Sequence, residues 1–538
     1  MKNSTKTFIA AVLMLLAGAS NIFPQPAPPV DWIRDNISGA ANDMITDNAG
    51  NIYVTGVTYA GSTNDFYTVK YNSSGVLQWS ETYNGADNLG DQASSIAIDN
   101  LGNVYVTGTA NIDYGNTVWT GDYCTIKYNS SGQQQWVKIY SGNTTGRDIP
   151  FKVAVDDQGN VVVTGQSYID AQRNDDIVTI KYASDGTQLW IVYHDGSGTT
   201  PEQDSGRDMV LDAQGNVYIF GHSTRLVTWY DLFLIKYNSA GAVQFTRDYT
   251  GPHNNTTEYG VALTLDNSGN IFCIGELSDG TLAVLKYNSS GVQQWVYIYT
   301  SNFFNKAKDI STDAAGNVFF CGSAGSTGFT AKLNSSGALQ WNRIVTGTGG
   351  NEIVNSLIID NMGDVYLTGK IAAGSYFDIV TEKINPSGIL QWRAAHSGSG
   401  NFNDFGNAVS RDASGNIVVA GGSNVGGFNN FCTIKYAPGT IGIESTGNNI
   451  PEIFTLHQNY PNPFNPVTNI EFDVPKSSFV KLTVYDVQGR AVETLVNSEL
   501  SRGKYKADWN AANFSSGVYF YKLESDGFVQ TKRMILIK

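Results

Sequence analysis

The chain has 538 residues, of which 57 are glycine and 14 are proline, and 15% of its residues are charged. This composition excludes a disordered chain and is typical of many short strands joined by tight turns. The net charge of −14 argues against a nucleic-acid partner, because no basic patch is present to displace the counterions of a phosphate backbone.

The N-terminal segment predicts export. Lys2 and Lys6 precede the apolar run FIAAVLMLLAGA, which is too short to span a bilayer. Ala17-Gly18-Ala19 follows the small-residue rule for signal-peptide cleavage. We therefore interpret residues 1–25 as a signal peptide that is removed from the mature protein.

Beyond this segment, one ten-residue phrase occurs eight times. Its copies begin at Asp47, Asp99, Asp156, Asp212, Asp266, Asp313, Asp360 and Asp412, and the second of them is DNLGNVYVTG. A period of roughly fifty residues is the signature of a stacked or radial repeat fold. Each repeat holds four short β-rich runs, a to d, which in the second repeat are SSIAID, VYVTG, CTIKY and WVKIY. Gly, Asn and Ser separate these runs, so we predict four antiparallel strands per repeat, the blade of an all-β propeller.

Run d begins with a large aromatic residue in every repeat that has this run. These residues are Trp79, Trp136, Trp190, Phe245, Trp295, Trp341 and Trp392. We predict that each ring wedges against the next blade. Trp32 precedes the first repeat with no runs a to c before it, whereas the last repeat stops after run c. We expect the strand around Trp32 to close the ring beside residues 433–436, which removes the exposed sheet edges and makes eight blades.

Residues from about 30 to 437 resemble the bacterial β-propeller repeat family called SBBP. The words that carry the resemblance are D-x-x-G-N-x-Y-V-T-G and T-I-K-Y-N-S-S-G-x-x-Q-W. The resemblance implies a propeller, and the family has no defined catalytic residues to transfer. Since the family is named for seven blades, seven is the alternative to the eight expected from the repeats. We assign residues 26–437 to this domain.

Function is expected on the face that carries the b–c and d–a loops, because these loops vary among the repeats while the a–b and c–d turns do not. The candidate ligand-binding residues in the long b–c loops are Tyr114, Trp119, Asp175, Arg225, Trp229 and Tyr230. Exposed rings flanked by polar groups suit a sugar ring or a peptide. The alternative is that Trp119 and Trp229 fold back to cap their own loops.

No metal or cofactor site is predicted. An Asp occurs three residues before the Thr of run c, as Asp65, Asp122, Asp176 and Asp378, with Asp231 equivalent. No repeat has the oxygen spacing of a calcium loop, and capping of backbone amides is the favoured interpretation. The four cysteines show no metal-binding spacing, so we expect buried free thiols, with disulfides as the alternative.

The repeat pattern of the sequence ends at residue 437. Residues 438–452 have no strand period and are interpreted as a linker. Residues 453–538 alternate over about six or seven short runs, which predicts a small β-sandwich. This module resembles the type A C-terminal sorting domain of the bacterial type IX secretion system. The matching sorting-motif residues are Tyr460, Pro461, Asn462, Pro463, Phe464, Asn465, Pro466, Gly489, Gly517 and Lys538.

This resemblance implies that the outer-membrane translocon recognises the module, which is then removed while the cargo is released or attached to the surface. The protein is therefore expected outside the cell. A binding or adhesion module for an extracellular glycan or protein is the favoured function of the propeller. A polysaccharide lyase or hydrolase would need convergent carboxylates, His or Tyr near the channel mouth, and a non-catalytic structural component would show neither feature.

Overall fold

The computed structural model describes residues 27–538 except 60–62, 87, 114–119, 143–145, 171–173, 197–201, 226–227, 253–256, 302, 400–401, 438–443, 448–450, 477, 501 and 512–513. The predicted signal peptide lies outside the described residues. All named elements of the described part are β-strands. Within that part, no helix combines the length and the apolar character needed to cross a membrane.

The repeat region folds into strands β1 to β32. They are β1 (Val30–Thr46), β2 (Ile52–Thr58), β3 (Asp65–Tyr71), β4 (Leu77–Tyr83), β5 (Gly90–Ile98), β6 (Val104–Asp113), β7 (Thr120–Tyr128), β8 (Gln134–Tyr140), β9 (Asp148–Val155), β10 (Val161–Asp170), β11 (Asn174–Tyr182), β12 (Gln188–His194), β13 (Glu202–Gln203), β14 (Ser205–Leu211), β15 (Val217–Arg225), β16 (Thr228–Tyr237), β17 (Val243–Tyr249), β18 (Tyr259–Leu265), β19 (Ile271–Glu276), β20 (Leu282–Tyr287), β21 (Gln293–Tyr299), β22 (Asn305–Thr312), β23 (Val318–Ala324), β24 (Thr327–Leu333), β25 (Leu339–Val345), β26 (Ile353–Ile359), β27 (Val365–Ala373), β28 (Tyr376–Ile384), β29 (Leu390–His396), β30 (Phe405–Arg411), β31 (Ile417–Val425) and β32 (Phe428–Tyr436).

These strands form eight antiparallel blades, numbered 1 to 8 in chain order, whose first strands are β1, β5, β9, β14, β18, β22, β26 and β30. Each blade has four strands, and the short β13 pairs with β11 at the side of blade 3. The first strands of neighbouring blades contact one another in an unbroken cycle, from β1 through β30 and back to β1. Strand a of every blade therefore surrounds a central channel.

Closure of the ring depends on the length of β1. Its first half pairs with β32 as the fourth strand of blade 8, and its second half pairs with β2 as the first strand of blade 1. Trp32 lies opposite Lys435, and Ile33 lies opposite Ile434. The predicted closure and the count of eight blades are both confirmed.

The recurrent phrase forms the a–b turn and strand b. In the first copy, one carboxylate oxygen of Asp47 accepts the N–H groups of Ala49 and Asn51, at 2.9 and 2.8 Å. The other oxygen accepts the Asn51 amide and the Tyr53 hydroxyl, at 2.7 and 3.0 Å. Gly50 has a φ of +78°, which strains other residues. The letters D, G and N therefore serve one turn, and Y adds a hydrogen bond in the copies that have it.

The glycine that ends the phrase lies opposite a β-bulge. Each of the eight inner strands carries a bulge at the same level, in blade 4 at Arg207 between Gly206 and Asp208. A bulge bends its strand and displaces the local backbone. A Cβ placed on Gly221 would lie 1.8 Å from the carbonyl oxygen of Ser205. No side chain has room at this position of strand b.

The ladder of indole rings joins each blade to the next. The Trp79 N–H donates to the carbonyl of Ser130 in the c–d turn of blade 2, at 3.2 Å. Equivalent bonds start from Trp32, Trp136, Trp190, Trp295 and Trp341. Gly132 of the same turn has a φ of +86°, and a Cβ there would lie 2.7 Å from the Trp79 ring. The predicted wedge is confirmed, and the turn glycine is part of it.

The C-terminal module is a sandwich of two four-stranded sheets, in the orders β33-β38-β35-β34 and β37-β36-β39-β40. Its strands are β33 (Glu444–Gly447), β34 (Thr455–Leu456), β35 (Val467–Val474), β36 (Ser478–Tyr485), β37 (Ala491–Leu500), β38 (Gly503–Asn510), β39 (Gly517–Ser525) and β40 (Phe528–Leu536). Trp509 and Phe472 from one sheet share a core with Tyr521 and Leu523 from the other.

One expectation about the linker is wrong. Within residues 438–452, which the sequence predicts to lack a strand, β33 forms and pairs with β38. An edge strand needs only backbone hydrogen bonds, so its short polar sequence carries no alternating pattern. The described part of the sandwich consequently contains eight strands: seven within residues 453–538, in agreement with the predicted six or seven, and β33 from the predicted linker.

Candidate functional site

The two faces of the propeller carry different connections between the strands, and we call them the turn face and the loop face. The turn face carries the a–b and c–d turns, which repeat the same backbone hydrogen bonds from blade to blade. The loop face carries the b–c and d–a connections. Seven well-exposed Phe and Tyr side chains of the described propeller lie on the loop face, namely Tyr59, Tyr259, Phe303, Phe304, Tyr376, Phe402 and Phe428. Exposed large side chains on the turn face are aliphatic, such as Leu101 and Val292.

Backbone amides of the loop face are held by a set of acids that the sequence analysis missed. These buried acids stand at or just before strand a, as Asp91, Asp148, Asp204, Glu352 and Asp404. Asp91 accepts the N–H groups of Gly85 at 2.7 Å and Asn111 at 2.9 Å, and so ties a d–a loop to a b–c connection. Burial raises the pKa of Asp148 to about 6. The available signal was the glycine that precedes each acid in the d–a loop.

Two of the six predicted ligand-binding residues have described side chains. Asp175 is buried and accepts the Gln166 amide at 3.1 Å, and burial raises the pKa of its carboxyl. The Tyr230 hydroxyl donates to Gln203 at 2.9 Å. Both residues lie on the loop face near the junction of blades 3 and 4.

The side chains of the other four predicted residues lie outside the part of the chain that the structure describes. Tyr114 and Trp119 lie outside the described residues, as do the side chains of Arg225 and Trp229, whose backbones belong to β15 and β16. The structure therefore does not test whether these rings are exposed or cap their loops. Ligand contact by all six residues stays a prediction.

Tyr230 belongs to a cluster of rings beside the channel mouth. Its ring centroid lies 5.4 Å from that of His222 and 5.8 Å from that of Tyr259. Burial, with the nearby Arg207 charge, lowers the pKa of His222 to about 3, so this imidazole is neutral at physiological pH. The Arg207 guanidinium stacks on Phe151, 4.2 Å from the ring centroid.

The aspartates that precede the Thr of strand c have different hydrogen-bond partners from blade to blade and do not form one circle of equivalent carboxylates. Asp65 accepts the Thr63 hydroxyl at 3.4 Å, and Asp122 accepts the Asn111 amide at 3.1 Å. In blade 3, one oxygen each of Asp176, Asp195 and Asp204 come within 4.8 Å of one another. Asp204 already holds the N–H groups of Gly196 and Thr224, so this cluster is part of the loop framework.

All four cysteines are buried and free, as predicted. Burial raises the pKa of the Cys124 and Cys432 thiols, which keeps them protonated. They act as small packing groups between blades, and the alternative of disulfides is not realised in this structure.

The channel holds a group of charges from four blades. The attraction of Asp43, Asp208 and Asp309 raises the pKa of Lys152, and burial raises the pKa of Asp309 to about 6. Each of these carboxylates also accepts a backbone N–H from the next blade, donated by Ile96, Leu263 and Leu357 respectively. The cluster is therefore tied into the joints between blades.

A cavity of about 520 Å³ opens between blades 7 and 8 on the loop face. Five asparagines line it, Asn355, Asn403, Asn407, Asn424 and Asn429, together with three phenylalanines and Lys370. Asp404 is its one carboxylate, and both of its oxygens accept backbone N–H groups, from Gly398 and Asn424. This volume is in the range of small-molecule sites. Nothing in the repeats of the sequence indicated the cavity.

The sorting motif has a defined place in the sandwich. Phe464 is buried against Trp509, with ring centroids 5.4 Å apart, and its N–H and C=O pair with Ile535 and Ile537 beside the final strand. Tyr460 is 79% exposed, so the motif presents one ring outward and inserts the other. The Lys538 N–H donates to the Ser516 hydroxyl, next to Gly517. Gly489 closes the turn after β36 with a φ of +75°.

The fold and this motif define a class, an exported β-propeller with a C-terminal sorting module. Residues 458–538 match the family described as secretion system C-terminal sorting domain, and residues 82–115 match the family described as β-propeller repeat. The chain is thus a type IX secretion cargo that carries a propeller, and its C-terminal module directs it to the cell surface or beyond. No curated protein sequence matches the chain significantly.

Several solved structures are distantly similar to the chain. PorZ, a surface component of the type IX secretion system of Porphyromonas gingivalis, has 11% identity and a TM-score of 0.40, with coverage of 92% of this chain and 74% of PorZ. The β-propeller domain of the trilobed protease from Pyrococcus furiosus has 7% identity and a TM-score of 0.36, with coverage of 66% and 92%. Sqt1 from Chaetomium thermophilum has 8% identity and a TM-score of 0.37, with coverage of 63% and 96%.

Proposed function

We propose that this protein is an extracellular binding module whose loop face holds a glycan or a surface protein. The observation that carries the proposal is the gathering of exposed Phe and Tyr rings on the loop face, opposite a face of repeated turns. Rings of this kind stack on sugars and anchor protein interfaces. In the sequence, Trp119 and Trp229 belong to the long b–c segments of blades 2 and 4, and contact of these two residues with the ligand is part of the proposal.

The described acids of this face favour binding over catalysis. Asp91, Asp148 and Asp404 each accept backbone N–H groups from the loops, and such carboxylates are committed to holding the framework. A glycoside hydrolase needs a pair of carboxyl groups about 5–10 Å apart that face the sugar. A binding role requires only that the rings and amides reach the ligand.

The proposal is tested with the purified exported protein in a binding screen against glycans and bacterial surfaces. Blades 2 and 4, to which Trp119 and Trp229 belong, are about 90° apart on an eight-bladed ring, a separation that one extended ligand can span. Each stacked ring contributes on the order of 1 kcal/mol, so the double variant Trp119→Ala, Trp229→Ala should bind at least roughly tenfold more weakly.

Leu101→Ala provides the control, because Leu101 is 80% exposed in the a–b turn of blade 2 on the turn face. This control should leave affinity unchanged. Absence of binding to every glycan and surface contradicts the proposal. Unchanged affinity with a lower melting temperature in the double variant shows instead that the two rings cap their own loops.

A further inference from the structure

The cavity between blades 7 and 8 contains a lysine that has no acidic partner. The ammonium nitrogen of Lys370 lies 4.2 Å from the ring centroid of Phe377, in a cation–π contact. Among the described residues, no carboxylate lies within ion-pair distance of it, although the chain has a net charge of −14. A half-buried charge is normally paired. The geometry therefore leaves one cation in the cavity available to an anion from outside.

The asparagine amides of the cavity supply both donors and acceptors. Asn403 accepts the Phe377 N–H through its oxygen and Asn429 accepts the Asn424 amide, which leaves the amide nitrogens of Asn403 and Asn429 free to donate. Asn355 and Asn407 donate across the blade joint, to Gly406 and Ala41, so their amide oxygens remain as acceptors.

A hydroxyl group donates one hydrogen bond and accepts others. Amide nitrogens and oxygens lining the same cavity therefore match the vicinal hydroxyls of a sugar. Side chains that offered only donors would match a phosphate or a carboxylate alone. The mixed lining favours a sugar over a simple inorganic anion.

Two rings at the cavity provide the apolar contact that a sugar ring requires. Phe402 is 45% exposed and its centroid lies 6.0 Å from that of Tyr376, so its ring is only partly covered. Phe405, the first residue of β30, is half-buried and its ring lies over Gly422 of β31. Such rings stack on the C–H face of a pyranose, as aromatic rings do on other apolar surfaces.

From these three features we propose that the cavity is the glycan site of the loop face and holds an anionic sugar residue of an extracellular polysaccharide. The acid group of the sugar pairs with Lys370, its hydroxyls with the asparagine amides, and its ring with Phe402. The inference rests on the proposed binding function and specifies the place and the ligand class. Asp404 takes no part, because backbone N–H groups occupy both of its oxygens.

The test measures binding of the purified protein to uronate oligosaccharides from polygalacturonate, alginate and glucuronoxylan, each paired with its carboxyl-reduced neutral counterpart. We expect at least one uronate to bind, and carboxyl reduction to weaken that binding at least tenfold. Lys370→Met should cause a similar loss, while Lys370→Arg should retain most of the affinity. Phe402→Ala should weaken binding to the acidic and the neutral sugar alike.

Lys332→Met is the matched control. The Lys332 ammonium also lies over an aromatic ring, 4.9 Å from the centroid of Phe319, but it stands next to the c–d turn of blade 6 on the turn face. It should leave affinity unchanged. Equal affinity for acidic and neutral sugars, with no effect of Lys370→Met, would overturn the anionic ligand while leaving the proposed function intact. No binding to any of these sugars would overturn the inference, and the whole-cell screen above then decides the proposed function separately.

Discussion

Single residues in the recurrent phrase are bound to one another rather than to the loops around them. The carboxylate of Asp99 accepts the Asn103 amide at 2.7 Å and the Tyr105 hydroxyl at 2.9 Å, as its counterpart Asp47 does in the first copy. Burial alone would raise the pKa of Asp99, but the hydrogen bonds from Asn103 and Tyr105 outweigh it and lower the pKa. The Asp–Asn bonds also form in copies without the Tyr, such as Asp266 with Asn270, so the Tyr hydroxyl adds to the turn and is not a condition for it.

The turn glycines offer a test at this scale. Gly132→Ala should destabilise the protein by about 1–2 kcal/mol through its positive φ, and by roughly 1–3 kcal/mol more because the new Cβ overlaps the Trp79 ring. Gly374→Ala is the matched control, since Gly374 has a φ of +71° and nothing within 4 Å of the added Cβ. Chemical denaturation measures the free energy of unfolding of both variants. Equal losses of stability would contradict the role assigned to the contact with the Trp79 ring.

At the scale of the element, β1 is the strand on which the ring depends. It supplies the outer strand of the last blade and the inner strand of the first. Its Trp32 also packs against the c–d turn of blade 1, where a Cβ on Gly75 would lie 2.5 Å from the indole. Removing its first half would leave β32 with an unpaired edge and expose the core around Trp32.

Deletion of residues 26–36 should therefore lower the melting temperature clearly or cause aggregation, as followed by calorimetry and light scattering. The control is Val30→Asp in the intact strand, because Val30 is 44% exposed and the pairing of β1 with β32 remains. A truncated protein that stays monomeric and melts with the wild type would show that closure contributes little to stability.

At the scale of the whole molecule, export and the proposed ligand contact belong to different modules. The sorting motif lies in the sandwich, where Phe464 is inserted in the core and paired beside the last strand. The loop face and its cavity belong to the propeller. A change in one module should consequently leave the property of the other unaltered.

A chain that ends at residue 437 should fold but remain in the periplasm, because the translocon signal has been removed. Residues 438–538 fused to an unrelated periplasmic protein should carry that protein outside, as measured by cell fractionation. A fusion to an unrelated β-sandwich of similar size is the control and should stay inside. Surface delivery of the truncated chain at normal levels would contradict the assignment.

The sequence alone predicted the blade number, the strand order, the closing strand, the ladder of rings and the sorting module. The propeller features depend on local turn chemistry and on repetition, so one chain carries eight copies of the same evidence, whereas the sorting module was predicted from its resemblance to a known family. The edge strand β33 escaped prediction because backbone pairing, rather than side-chain alternation, determines it.

Only the tertiary structure decided what the propeller brings together. Lys370 of blade 7 and Asn407 of blade 8 lie on different strands, and the d–a loop between them supplies Phe402 and Asn403, so no pattern along the chain joins these residues. The same holds for Lys152, whose acidic partners Asp43, Asp208 and Asp309 belong to three other blades. A repeat specifies its own hydrogen bonds, whereas a cavity arises where two unlike neighbouring blades pack together.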